Sequence, residues 1–399
     1  MVKFNTDFDK YFSFYLIFIL GSSIFLINSN YLLDTNNSIA EWVINYQGGF
    51  GRRGLIGELF LLVSSITGIY LKNVILYFLI IIFTFYYLLI YYYFRNLNLN
   101  KIFIIAIYSP LFLMFPIAEL EGLGRKDILI PFSFLVFAYF YNKLDFKNMA
   151  ILLLFIYTPL ILIHEVSIFY LPFFYFIIFL KLEKFNFLDI FLIVIVTIIL
   201  LSTIYILSNS IHTDNEIFKM CQKLMILYNT KCGLGAYVLN RTLQENISEL
   251  GGLKIIDIFR GLWIYLLGSV VLIFCVVNSK YEKNKVNFLF KKINFNFTFF
   301  VILFPTLVPF LIAVDWGRWF NLSYTMLILF YFFCFKNNLI MFNQNHYVSL
   351  FNKILNKKYI FITFILIVCF SWNPKAVYSE DIGSIPVYRV IEKIFSRIN

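Results

Sequence analysis

The sequence predicts an all-α, polytopic integral membrane protein of about eleven transmembrane helices, with a further interfacial helix near 54–70. Three observations predict it. Apolar residues make up 61% of the chain and charged ones 14%, a balance far from that of soluble domains. Apolar runs long enough to cross a bilayer, about 20 residues each with some latitude, recur throughout. The Lys and Arg residues behind the net charge of +11 are scattered through short connectors rather than gathered on one stripe. Membrane orientation uses cations in this way, and nucleic-acid binding does not.

Taken in order, residues 1–28 carry Lys3 and Lys10 before an apolar run, yet "LINSNYLLD" offers no small-residue cleavage site, so this stretch reads as an uncleaved first span. Further runs fall near 74–94, 102–118, 128–141, 187–208, 261–278, 297–314, 319–335 and 359–372. The stretch 149–180 is too long for one crossing. His164 and Glu165 near its middle divide it into two short crossings joined by a tight turn.

Segment 54–70 decides the topology. If it crosses, the loops at 95–101, 142–148, 181–185, 279–296 and 336–359 face away from the cytoplasm, although they carry 2, 2, 2, 5 and 4 Lys or Arg. If it lies at the interface, these loops and the amino terminus are cytoplasmic, as the positive-inside tendency prefers. Glu58, Ser64, Ser65 and Thr67 also suit an interfacial helix better than a lipid-exposed span. The opposite face then collects "GGFGRRG" (48–54), "ELEGLGRKD" (119–127), the His164–Glu165 turn, the loop 209–260, "DWGRW" (315–319) and the tail from 373. The whole of 1–399 reads as a single membrane domain with 209–260 as its main outer loop. Cys221 and Cys232 in that loop are either a disulfide formed in an oxidising compartment or two free thiols.

No P-loop, H-E-x-x-H, C-x-x-C or G-x-S-x-G occurs, which argues against the chemistries those motifs carry. Three unclustered His residues give no metal site, and no cofactor motif is present. What remains is arginine beside glycine. A guanidinium offers a rigid donor fork suited to phosphate, and a helix beginning near Gly54 would turn its positive end toward the same anion. Arg52, Arg53, Arg125, Lys126 and Arg318 would together form a cationic pocket at the bilayer rim for a diphosphate joined to a lipid tail. The plainer reading is that these cations snorkel to headgroups or pair with Glu58, Glu121, Asp127 and Asp315. His164, Glu165 and Asp315 are the candidate proton acceptors, each with a packing, capping or ion-pair alternative. Asp34 and Glu41 have weaker context. The interiors of the spans are free of Asp, Glu, Lys and Arg, which disfavours an ion-coupled transporter.

With its many short spans, one sizeable outer loop (209–260) and outward Arg-bearing motifs at Arg52, Arg53, Arg125 and Arg318, the chain resembles the O-antigen and capsular polysaccharide polymerases of bacteria. An interfacial helix after the first span is also similar to the C-type glycosyltransferases, in which an acid of the first outer loop is catalytic, a place held here by Asp34 or Glu41. The resemblance implies transfer of a glycan from undecaprenyl diphosphate to a sugar hydroxyl on another lipid-linked unit. This would occur on the periplasmic side of the bacterial inner membrane, without metal, with the amino terminus cytoplasmic. Membrane lipids, the lipid-linked oligosaccharide and other polysaccharide-assembly proteins are the implied partners. A single-sugar transferase using a polyprenyl-phosphate donor and a lipid-linked oligosaccharide flippase are the alternatives.

Overall fold

The structure is a computed structural model and describes residues 5–31, 40–184, 186–251, 255–343, 346–375 and 385–398. Among these residues the protein is mostly helical, and its one sheet is a short antiparallel pair, Ser279–Tyr281 with Ile340–Phe342. Among the described residues, five helices are long and apolar enough to cross a membrane: Phe8–Ser29, Leu71–Phe94, Phe146–Ile163, Phe187–Asn209 and Trp316–Lys336. Shorter apolar helices, Leu55–Thr67 and Lys358–Phe370 among them, occupy other expected positions.

Local chemistry sets several boundaries. Asn100, Asp145, Asn186 and Asn294 each precede a helix and accept a backbone N–H of its first turn, the usual answer to unsatisfied helix starts. Gly68, at φ 70°, ends the Leu55–Thr67 helix with its N–H on the Ser64 carbonyl.

The Trp316–Lys336 helix is the central pillar, buried continuously from Leu322 to Cys334. A helix that is apolar on all sides is covered by protein or by lipid, and here neighbouring helices cover it. The Phe330 ring packs with Phe176 at 4.6 Å and Phe173 at 5.8 Å. Tyrosines place their hydroxyls on backbone oxygens within this packing: Tyr93 on Leu329 and Tyr324 on Ala106. Between apolar helices such bonds and close fit, each worth about 1 kcal/mol, help to hold the packing together.

The stretch 149–180 does reverse. Tyr157 donates to the Ser167 carbonyl and its ring lies 4.8 Å from that of Phe174, a closeness that a straight helix of that length forbids. His164 is the extended residue at the bend. By contrast, 102–118 is not one helix. It comprises Lys101–Ile107, a turn-rich segment, and Phe115–Ala118. Pro110 cannot supply a helical N–H, the chain leaves the helix there, and the carbonyls of Leu111 and Phe112 accept from the side-chain amide of Asn321. Irregular backbone is tolerated in an apolar layer only when covered by protein, and 111–115 are all buried. The 297–314 run likewise changes from the Phe295–Leu303 helix to a tighter 3-10 helix, Phe304–Leu311, where Pro305 and Pro309 fall.

The connectors sort to two ends. At one, Asn142 bonds Asn337, Asn287 donates to the Leu182 carbonyl, Lys101 to the Leu355 carbonyl and Lys336 to that of Tyr93. At the other lie 41–58, 119–127, 164–165, 212–241 and 315–318.

Candidate functional site

The second end is organised by the loop that leads from Glu41 into the Leu55–Thr67 helix. Glu58 accepts the Tyr46 backbone N–H and the Gln47 side-chain amide, folding the loop back along the helix. Gly57 makes that fold possible, since a Cβ there would meet the Ile44 carbonyl oxygen at 1.9 Å. Gly51 is needed for a different neighbour: its Cβ would lie 2.1 Å from the His212 ring. The glycines beside the arginines thus serve close packing. Arg53 then turns through left-handed backbone, φ 64°, uncommon for a residue with a side chain.

From that turn Arg53 reaches Glu165. Its Nε lies 2.9 Å from each carboxylate oxygen and its Nη2 2.7 Å from one. A second network alternates in sign through five side chains. Glu41 accepts from Arg125 at 2.9 Å, and Arg125 lies 3.8 Å from Asp315. Asp315 accepts from Arg318 at 2.6 Å, and the Arg318 Nε lies 2.6 Å from Asp127. The other Asp127 oxygen meets His164 Nε2 at 2.7 Å. Burial pushes the Glu41 carboxyl up, but Arg125, Arg318 and Arg53 outweigh it and hold the group below its ordinary value. Asp127 behaves alike: burial raises it, and Arg318, His164 and Arg125 bring it well below the usual carboxylate range.

Around these side chains lies a cavity of about 440 Å³. Of the residues singled out from sequence, Arg52, Arg53, Arg125, Arg318, Glu165 and Asp315 line it. Lys126 and His164 do not; both are fully buried behind it, Lys126 donating to the Arg53 carbonyl and His164 on Asp127. Backbone geometry separates each adjacent pair. Arg125 and His164 are extended, and in extended chain successive side chains point opposite ways. Asp34 lies outside the described residues. Glu41 lines the cavity, as do Trp319 of the DWGRW motif and Arg241, the last of which sequence reasoning did not raise. Five arginines and three acids therefore face one space, Arg52, Arg53, Arg125, Arg241 and Arg318 against Glu41, Glu165 and Asp315, an excess of two positive charges.

Three polar atoms of the lining residues are buried without a protein partner: Glu41 Oε2, Arg52 Nε and the Trp319 indole N–H. Buried polar groups are normally satisfied, and these three have no hydrogen-bond partner among the protein groups around them. Among the described residues no cluster of His, Cys, Asp and Glu is arranged to hold a metal.

The segment 212–241 roofs the cavity. Arg52 donates to the carbonyls of Leu239 and Arg241, and Lys223 to that of Gln47. A Thr213–Glu216 capping box starts the Asp214–Tyr228 helix. Cys221 and Cys232 form a disulfide that ties this helix to the segment leading to Leu239.

The chain matches no family model, no curated protein and no solved structure.

Proposed function

We propose that the protein is a polytopic glycosyltransferase of the polysaccharide-polymerase kind, transferring a glycan from undecaprenyl diphosphate to a sugar hydroxyl of a second lipid-linked unit. One observation carries the reading: four arginines from three segments remote in sequence line a single cavity with surplus positive charge and unsatisfied donors. A diphosphate supplies the missing charge and acceptors. Arg52, Arg53, Arg125 and Arg318 hold it and neutralise the charge that grows as it leaves, by fixed electrostatics. Ile168, Phe169 and Ile312 give the same cavity an apolar side for the lipid.

In the reaction the acceptor oxygen bonds the anomeric carbon. The bond from that carbon to the diphosphate breaks, its electron pair leaving with the prenyl diphosphate, and the acceptor proton passes to a carboxylate. Asp315, with 23% of its side chain exposed, is the most accessible acid of the ion-pair network and is assigned that proton. Glu41, with one oxygen unpartnered and a place in the first outer loop, is the second choice. Glu165 and His164 orient Arg53 and Asp127.

The topology follows from the same proposal. The arginine end faces the periplasm and the lysine-rich connectors the cytoplasm of a bacterial inner membrane, with the amino terminus inside. Two features support it: the Lys and Arg content of those connectors, and the Leu55–Thr67 helix, whose 13 residues span about 20 Å, short of a hydrocarbon core of about 30 Å. Leu59, Leu62, Val63 and Ile66 on its exposed side suit the interface.

Reconstitution with a lipid-linked oligosaccharide tests the reaction. A ladder of repeats is expected from the wild type and none from Asp315→Asn together with Glu41→Gln. A single mass increment would turn the reading to a one-sugar transferase, and translocation without any new bond would overturn it in favour of a flippase.

A further inference from the structure

Lys126 takes no part in the chemistry above. It is fully buried, its Nζ donates to the Arg53 carbonyl at 2.8 Å, and it lies 6.0 Å from the centre of the Trp42 ring. Among the described residues no carboxylate stands within ion-pair distance of it. The carbonyl it grips belongs to the residue with left-handed backbone, and that residue's guanidinium forms one wall of the cavity.

The charged groups facing Lys126 come from three other segments. Glu41 stands on the Glu41–Val43 turn, Arg53 on the loop before the Leu55–Thr67 helix, and Glu165 just past the 164 bend. Asp127 follows it in the chain and carries His164. Burial is the strongest influence and lowers the ammonium to about 7, with Glu41 and Glu165 pulling it up and Arg53 pushing it down. A buried cation without a carboxylate is costly, and a nearby anion removes much of that cost.

We propose that Lys126 is a positioning residue that couples the cavity to a proton: a phosphate-type headgroup among the arginines draws a proton onto Lys126, and the ammonium fastens the Arg53 turn in its binding geometry. The inference rests on the reading that the cavity takes such a headgroup. Its sign is fixed by linkage. The empty protein begins to lose the proton near neutrality, while the occupied one keeps it to higher pH, so anion affinity falls as pH rises through that window and binding takes up a proton.

Sulfate is the probe, because its own charge stays constant there. Titration calorimetry on the purified full chain, in buffers of different ionisation heat, reads affinity and proton uptake together. The wild type is expected to lose affinity toward a limit of about tenfold per pH unit above about pH 7, with uptake approaching one proton per sulfate. Lys126→Arg, which keeps its charge, should match the wild type at low pH and show a flat profile. Lys126→Met should bind weakly at every pH. A flat wild-type profile without proton uptake overturns the inference, and it needs no variant to fold. An unchanged slope in Lys126→Arg also overturns it and assigns the proton to another group. Failure of the wild type to bind sulfate or a short-chain prenyl diphosphate at any pH defeats the cavity reading itself. With the coupling present, tighter competition by the prenyl compound than by inorganic pyrophosphate assigns the site to a lipid headgroup; equal competition leaves the coupling standing and removes the lipid.

Discussion

The two ends of the molecule are both rich in cations and use them in opposite ways. At one end the charges are mainly lysines on short connectors. They meet backbone carbonyls in or just beyond helices, as Lys336 does at Tyr93 and Lys101 at Leu355, or lie over aromatic faces, as Lys143 does at 3.6 Å from the Tyr139 ring centre. At the other end they are arginines drawn inward and locked to acids: Arg53 to Glu165, Arg125 to Glu41, Arg318 to Asp127 and Asp315. A lysine on a flexible stem can keep its charge in water at little cost. Buried guanidinium groups lose hydration that only well-made partners replace. The arginine end is therefore a constructed charge network around a cavity, whereas the lysine end closes helix termini.

The comparison breaks most visibly at Arg318. Arg318→Leu leaves Asp127 buried without its strongest partner and Asp315 without its shortest, and truncating one side of a buried pair costs about 3–5 kcal/mol. Thermal unfolding in detergent should show that loss, and a melting curve like the wild type's would mean the network contributes nothing. Arg53→Gln is expected to lower glycan transfer by roughly 100-fold or more, the scale of losing a preorganised charge donor, with the protein still inserted. Acid should next separate the two ends. Glu41 and Asp127 are held below their ordinary values, so their contribution is present above about pH 4 and is lost as pH falls through the depressed range. Hydrogen exchange on acidification should loosen 41–54 and 119–127 before 336–342. The smallest effect belongs to the lysine end: Lys336→Ala should change stability by no more than about 1 kcal/mol.

How much of this was legible beforehand follows physical lines. Helical class and the reversal at 164–165 could be read because run length and two polar residues in an apolar stretch report directly on bilayer geometry. The break after Ile107 was hidden, since Pro110 sits in a run whose composition is wholly apolar and whose carbonyls are satisfied by Asn321, more than two hundred residues away. Arg52, Arg53, Arg125 and Arg318 were visible by type and expected to share one pocket, and the fold brings all four to one cavity. Their acids were less visible. Asp315 precedes Arg318 by one helical turn, but Glu41 and Arg125 are 84 residues apart and no local pattern joins them. Lys126 and His164 were grouped with their neighbours by adjacency, and the extended backbone at Arg125 and His164 turned each to the other side.

Arg52 offers the most direct test of an anionic lipid site, because it holds loop carbonyls and no carboxylate among the described residues, so its loss leaves the ion-pair network whole. Binding of a prenyl diphosphate and of the matching prenyl alcohol should be compared for the wild type and Arg52→Gln in lipid nanodiscs. At least tenfold weaker diphosphate binding by the variant, with the alcohol bound weakly and equally by both, is the expected result. Equal affinity of the wild type for the two lipids, or a diphosphate affinity untouched by the substitution, would contradict the account.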